Sequence, residues 1–263
     1  QETAIATGDK IAWPEIVQPG QAPETRSGTV EAFDLVARTV VLSIGAKSQG
    51  LPRAVFRHPV VAAKVLERAL LEFAEHVIRE GFDRAGPYAA ASELLCAHVP
   101  RRRGVSSELR QVSESVQACL ARLCNELDGG VLPVQGPPGA GKTTQAARAI
   151  LALTAGKRIG VTAVSHKVID NLLMAVRDAH RASAAGSHVE LVHLDPDREP
   201  EDGIEFVKNP ATALRRIAPG TIVGGTAWLW ADPAAIGSLD LLIVDEAGQM
   251  ALAQTLAAAR AAR

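Results

Sequence analysis

The chain has 263 residues, 47% of them hydrophobic, enough to build the core of one large or two small domains, which excludes an intrinsically disordered chain. Lysine and arginine number 28 against 29 acidic residues, a net charge of −1, so no global basic field recruits nucleic acid and any such grip has to be local. The three cysteines, Cys96, Cys119 and Cys124, form no C-x-x-C pair and exclude a disulfide scaffold; they read as buried thiols in a reducing cytoplasm. With no secretory segment and no apolar run of about 18 residues, the expectation is a cytoplasmic protein without a membrane partner. The start at Gln1 and the abrupt stop of the last helix at Arg263 suggest a piece of something longer.

Residues 1–27 carry Pro14, Pro19, Gly20 and Pro23 with little periodicity and are expected to be a linker-like lead-in. An accessory region is expected over 28–106. Gly28 to Phe33 and Thr39 to Ile44 pattern as two strands of a hairpin around the turn Asp34 to Arg38. Apolar residues at helical spacing from Pro59 to Arg79, among them Val65, Leu66, Ala69, Leu70 and Phe73, predict an amphipathic helix. Tyr88 to His98 suggests a short helix. Arg101, Arg102 and Arg103 suit either a phosphate clamp or, more simply, a solvated turn. Ser107 to Leu127 predicts a longer helix closed by Gly129 and Gly130.

Beyond residue 131 strands and helices alternate, the pattern of an α/β domain with a parallel sheet covered by helices on both faces, expected to occupy 107–263. Strands are predicted at 131–135, 158–163, 189–194, 221–225 and 239–244. Helices are predicted near 142–155, 166–182, 211–217 and 249–262. The loop Asp195 to Glu205 should be exposed. His188, His193, Asp195 and Asp197 invite a metal reading, but their spacing matches no usual ligand set.

Residues 136–143 fit G-x-x-x-x-G-K-[ST], between the apolar Val131 to Val134 and the helix-like Thr144 to Leu153. Such a phosphate loop needs glycine where successive amides turn towards phosphate oxygens, a need met by Gly136, Gly139 and Gly141. Gly136, Pro137, Pro138, Gly139, Ala140, Gly141, Lys142, Thr143 and Thr144 are therefore the expected ATP cradle. Lys142 is expected at the β and γ phosphates, and the Thr143 hydroxyl on Mg²⁺. The run Leu241 to Val244 ends in Asp245 and Glu246, and ligands of open α/β sheets bind beyond the carboxyl ends of strands. Two carboxylates suit two jobs: Asp245 on the Mg²⁺ hydration shell, Glu246 as the base that orients and deprotonates water.

Two further segments make a resemblance specific. Val134 to Thr143, Val161 to Leu172 (V-T-A-V-S-H-K-V-I-D-N-L), Ile222 to Trp228 (I-V-G-G-T-A-W) and Asp245 to Gln249 (D-E-A-G-Q) resemble motifs of superfamily 1 helicases. The branch is that of nonsense-mediated-decay and Okazaki-fragment-processing enzymes, and the form is nearest to bacterial fusions of a RecB-type nuclease to such a helicase. Residues 131–263 carry the likeness and 28–130 follow it loosely. The resemblance implies a P-loop NTPase with a RecA-like fold: the first motor domain of an ATP-dependent DNA helicase, which translocates on a single strand and unwinds duplex. It implies that Gln249 senses the γ phosphate or attacking water, that Ser165, His166 and Thr226 contact the backbone of single-stranded DNA, with RNA open, and that Gln117 lies near adenine. Trp228 and Trp230 suit base stacking or core packing equally.

The implied partners are a second RecA-like domain, which supplies arginines to the transferring phosphoryl group and is absent from this chain, and a RecB-type nuclease domain in the parent. Without that second domain the chain is expected to bind nucleotide far better than it turns it over. The loop alone also permits a P-loop nucleotide or small-molecule kinase, which Glu246 and Gln249 argue against, and a non-catalytic ATP-dependent nucleic-acid-binding switch, which Lys142, Asp245 and Glu246 disfavour.

Overall fold

The structure is a computed structural model that describes residues 5–15, 24–34, 36–46, 48, 51–57, 62–82, 86–104, 108–137, 139–183, 188–200 and 202–263. The chain divides into two compact units, Gln1–Ala62 and Ala63–Arg263.

The first unit is a four-stranded antiparallel sheet of β1 (Lys10–Glu15), β2 (Glu24–Asp34), β3 (Thr39–Ile44) and β4 (Phe56–Arg57), in the order β3-β2-β1-β4. The predicted hairpin is β2 with β3, from Asp34 opposite Thr39 to Gly28 opposite Ile44. Asp34 closes its turn by accepting from the amides of Val36 and Ala37, each at 2.8 Å, the Asx-turn chemistry that favours aspartate there. The lead-in is not linker-like where it is described: Lys10–Glu15 pairs along its length with Glu24–Thr29, burying Ile11 and Trp13 against Val30. Its strand character escapes a local reading because the partner lies across residues 16–23, and edge-tolerant Pro14 masks the pattern.

The second unit opens with α1 (Lys64–Glu80), α2 (Ala89–Leu95) and α3 (Val116–Glu126). Pro59 to Val61 of the predicted first helix and Ser107 of the predicted third lie outside the described residues. The third helix is shorter than expected: Ser115 is its N-cap, accepting from the Ala118 amide at 3.2 Å, and 108–114 are turns. The boundary at 62/63 places α1 and α2 with the parallel sheet rather than with the hairpin. Leu66, Ala69 and Phe73 line the buried stripe of α1, which packs on the C-terminal helix. There Arg260, 1% exposed, donates to Glu72 at 2.5 Å and to the Ala231 carbonyl. Of the three consecutive arginines, Arg101 donates to the Asp128 carbonyl and Arg102 to Glu126, both partly buried, while Arg103 donates to the Asp128 carboxylate and stays exposed, as a solvated turn predicts.

The core is a five-stranded parallel sheet, order β7-β6-β8-β5-β9, of β5 (Ile159–Thr162), β6 (Glu190–Leu194), β7 (Glu205–Val207), β8 (Thr221–Gly224) and β9 (Leu241–Val244). Its helices are α4 (Lys142–Thr154), α5 (His166–Ala182), α6 (Pro210–Arg215), α7 (Ala227–Trp230) and α8 (Leu252–Ala259). The count of five strands holds, but the membership differs. Residues 131–137 take no strand conformation, and the fifth strand is instead β7, at the edge of the sheet beside β6. Pro133 gives 131–135 no amide at its centre, Val134 is exposed, and β9 pairs with β5 alone, so no ladder reaches the segment.

Helix α5 shows why the sheet is covered as it is. Ile169, Leu172, Leu173 and Val176 recur at helical spacing and are fully buried, each contributing up to roughly 2 kcal/mol by removal of apolar surface from water. On the other side, Trp230 is buried against Gly160, where an added Cβ would stand 2.9 Å from the indole and 2.4 Å from Leu239. Only glycine permits that approach.

Candidate functional site

The glycine-rich turn sits at the amino end of α4. Gly139 and Gly141 both hold φ of +75°, a left-handed conformation that costs a side-chain-bearing residue about 1 kcal/mol or more. The Ala140 amide closes a turn on the Pro137 carbonyl at 3.2 Å. Pro138 lies outside the described residues. Gly141 is the N-cap and offers no side chain to the first-turn amides, so the Lys142, Thr143 and Thr144 N–H groups and the positive end of the helix dipole face the loop. That donor set fits a phosphate group. Lys142 reaches back along the turn, its Nζ 2.9 Å from the Gly136 carbonyl and 3.1 Å from that of Pro137, so the ammonium stands over the loop.

Parallel pairing of β5 with β9 carries Asp245 to the same end of the sheet, where its amide donates to the Thr162 carbonyl at 2.9 Å. Partial burial pushes the Asp245 carboxyl up, as does the neighbouring charge of Glu246; the Glu246 amide at 3.0 Å and the positive charge of Lys142 pull it down. Glu246 occupies the left-handed region at φ +49°, unfavourable for glutamate and a kind of local strain found at functional sites. Gln249 approaches Glu246 through its side-chain amide at 3.4 Å, and both side chains are exposed. Thr143 is half-buried and Thr144 exposed on the first turn of α4. Gln117 is exposed on the first turn of α3, a helix that packs against α4.

The remaining predicted positions are scattered over two helix starts. Ser165 caps α5, its Oγ accepting from the Val168 amide at 3.4 Å. His166 opens that helix with Nδ1 3.1 Å from His193 Nε2. Thr226 is the N-cap of α7 without a side-chain capping bond. The segment after Thr226 is helical and carries both Trp228 and Trp230. Trp230 is fully buried and donates to the carbonyls of Gly225 and Val161, which settles it as core.

Sequence reasoning passed over Thr162, whose hydroxyl is buried without a partner at the carboxyl end of β5, beside the Asp245 amide. It also gave no role to Asp170. This buried carboxylate accepts from His193 Nδ1 at 2.6 Å and lies 3.5 Å from Arg198. The loop after β6 is not exposed throughout, because Asp195 is buried at its start. His188 and Asp197 stand apart from His193, with His188 exposed beside Glu190 at 3.3 Å. The cysteines are free and half-buried, and burial pushes the Cys124 thiol up. Among the described residues no helix is long and apolar enough to cross a membrane. The fold is α/β with an all-parallel sheet flanked by helices; no protein-family model and no curated protein matches the chain.

Proposed function

We propose that residues 107–263 belong to the first RecA-like ATPase domain of a superfamily 1 DNA helicase, in which Mg²⁺-ATP hydrolysis is coupled to translocation on a single strand. The observation that carries this reading is the left-handed turn at Gly139 and Gly141 running into the amino end of α4, with Asp245 and Glu246 following β9 at the carboxyl end of the parallel sheet. The uncapped amino end of α4 and the turn around Gly139 and Gly141 supply inward-facing amides of the kind that hold phosphate oxygens. Lys142 would exchange its two carbonyl partners for phosphate oxygens, a charge-assisted contact that is stronger than either. Thr143 and Asp245 would hold Mg²⁺, which carries part of the phosphate charge. Glu246, exposed beside Gln249, would take a proton from water while Gln249 holds that water in line. Ser165, His166 and Thr226 would contact the strand backbone. The arginines of a second motor domain would complete the site.

The test is a titration of the chain with Mg²⁺-ATP, alongside Lys142→Ala. The variant should bind at least about tenfold more weakly, since a charged hydrogen-bonding partner is removed. Equal affinity in the two proteins sinks the nucleotide reading. ATPase assays with and without single-stranded DNA address the motor itself: no response to nucleic acid removes the helicase assignment, and phosphoryl transfer to a small acceptor replaces it with a kinase.

A further inference from the structure

A second group of side chains converges away from the glycine-rich turn, at the carboxyl end of β6. His193 comes from the strand and is fully buried, Asp195 follows it and is 6% exposed, and His166 arrives from the first turn of α5. One ligand atom from each lies within 4.8 Å of both others. We propose that His166, His193 and Asp195 form a binding site for a divalent transition-metal ion of the zinc class, a site that does not rest on the nucleotide reading.

Hydrogen bonding fixes the donor atoms. Asp170 Oδ1 accepts from His193 Nδ1 at 2.6 Å, which places the ring proton on Nδ1 and leaves the Nε2 lone pair aimed at His166. The second oxygen of Asp170 lies 3.5 Å from the Arg198 guanidinium, so this carboxylate is committed to orienting the histidine. A carboxylate behind a histidine with its other nitrogen presented is the outer-shell arrangement that supports metal-ligating imidazoles.

The distances also fit an ion held between the three groups. His166 Nδ1 stands 3.1 Å from His193 Nε2 and 3.7 Å from Asp195 Oδ2. The longer separation exceeds a hydrogen bond, and His166 Nδ1 has one proton at most to share between two acceptors. Two ligand atoms each about 2.0–2.1 Å from a tetrahedral ion stand about 3.3–3.4 Å apart, a value that the two observed separations bracket. Two imidazoles and one carboxylate give a borderline donor set that suits Zn²⁺ and its neighbours over Mg²⁺ or Ca²⁺. His166 and Asp195 also line a cavity of about 370 Å³, together with Lys167, Asn171 and Arg198. An ion at its floor would keep a coordination position open to a small ligand, and the cations at the rim would favour an anionic one. Held there, the ion would join the first turn of α5 to the end of β6.

The experiment uses the whole chain, stripped of metal by chelator and titrated with Zn²⁺, then with Co²⁺ as a spectroscopic substitute, in the absence of nucleotide and nucleic acid. One equivalent should bind saturably, with intense visible d–d bands of tetrahedral Co²⁺ and a raised thermal midpoint. His166→Ala and Asp195→Ala should each abolish the bands, Asp170→Asn should weaken affinity by about 10–100-fold through loss of ligand orientation, and Asp245→Asn should leave Zn²⁺ binding intact, which separates this site from the proposed nucleotide site. X-ray absorption on the unsubstituted chain loaded with Zn²⁺ should show imidazole scattering from two histidines, a readout independent of whether any variant folds. Wild-type-like binding by His166→Ala, no saturable binding by the parent chain, or absorption spectra without imidazole scattering would each overturn the proposal.

Discussion

The parallel sheet presents two side-chain groups at the carboxyl ends of its strands, and they are built on opposite terms. At β9, Glu246 and Gln249 are exposed and Asp245 carries a carboxyl that burial raises, while Lys142 donates to the loop carbonyls of Gly136 and Pro137. At β6, His193, Asp170 and Asp195 are buried and bound to one another or to their neighbours. Strain and desolvation at β9 oppose folding, whereas the β6 group is held by its own hydrogen bonds and meets the cavity through His166 and Asp195. If β9 carries the proposed chemistry, substitutions there should remove function with little loss of stability, whereas substitutions of the buried β6 residues should destabilise the fold.

The largest effect that sharpens this contrast is expected from Glu246→Gln. If Glu246 is the general base, steady-state ATP turnover should fall by about 10²–10⁴-fold while Mg²⁺-ATP affinity is retained; turnover at the parent rate would assign the base elsewhere. Next is Asp170→Asn in the metal-free chain, where asparagine still accepts from His193 but without charge. A loss of about 1–2 kcal/mol in urea denaturation is expected, and an unchanged midpoint would break the claim that the β6 group stabilises the fold.

A smaller effect lies at the amino end of the sheet, where the Arg158 guanidinium holds Asp240 at about 2, below its ordinary 3.8, with bonds of 2.7 and 3.0 Å. A carboxyl depressed by folding stabilises the protein above the unfolded value, and that stability is lost as the pH falls from 3.8 towards 2. Both groups are partly solvated, so the contribution is discounted to about 1 kcal/mol. Denaturation of Asp240→Asn should show the deficit at neutral pH and lose it in that acid window. The smallest effect has the opposite sign. Because folding raises the Asp245 carboxyl, ionised Asp245 opposes folding at neutral pH, and Asp245→Asn should raise the thermal midpoint as it weakens Mg²⁺-dependent nucleotide binding. A lowered midpoint would place Asp245 among the structural residues.

Legibility in the sequence followed the range of the interactions. Helix α5 is expected over 166–182 and found there, because its cap at Ser165 and its stripe from Ile169 to Val176 are both local signals. The left-handed turn at Gly139 and Gly141 is local in the same way. Strand pairing is not. Lys10–Glu15 looked like a lead-in because its partner begins beyond residue 23, and 131–135 looked like a strand because apolar residues cannot announce that no neighbour will pair with them. Trp230 was ambiguous until the backbone after Thr226 closed into a helical turn that aims the indole at the Gly225 carbonyl. The β6 group is only half legible for a third reason. His193 and Asp195 sit two apart and invite a metal reading from the sequence, but the side chain that joins them is that of His166, supplied by another element 27 positions away, so no short spacing rule could find it.

The bond between Arg260 and Glu72 bears on how the protein can be shortened for biophysical work. A version trimmed to begin at residue 107, where the α/β pattern is expected to start, would delete the helix that holds Glu72, removing the carboxylate from Arg260 and the buried stripe of Leu66, Ala69 and Phe73 from the helix it packs on. The loss of those three buried side chains alone is expected to cost up to roughly 2 kcal/mol each, a large share of the stability of a domain this size. The smallest soluble piece therefore begins ahead of Lys64, and a protease that cuts between residues 81 and 115 should leave two fragments that stay associated until denatured.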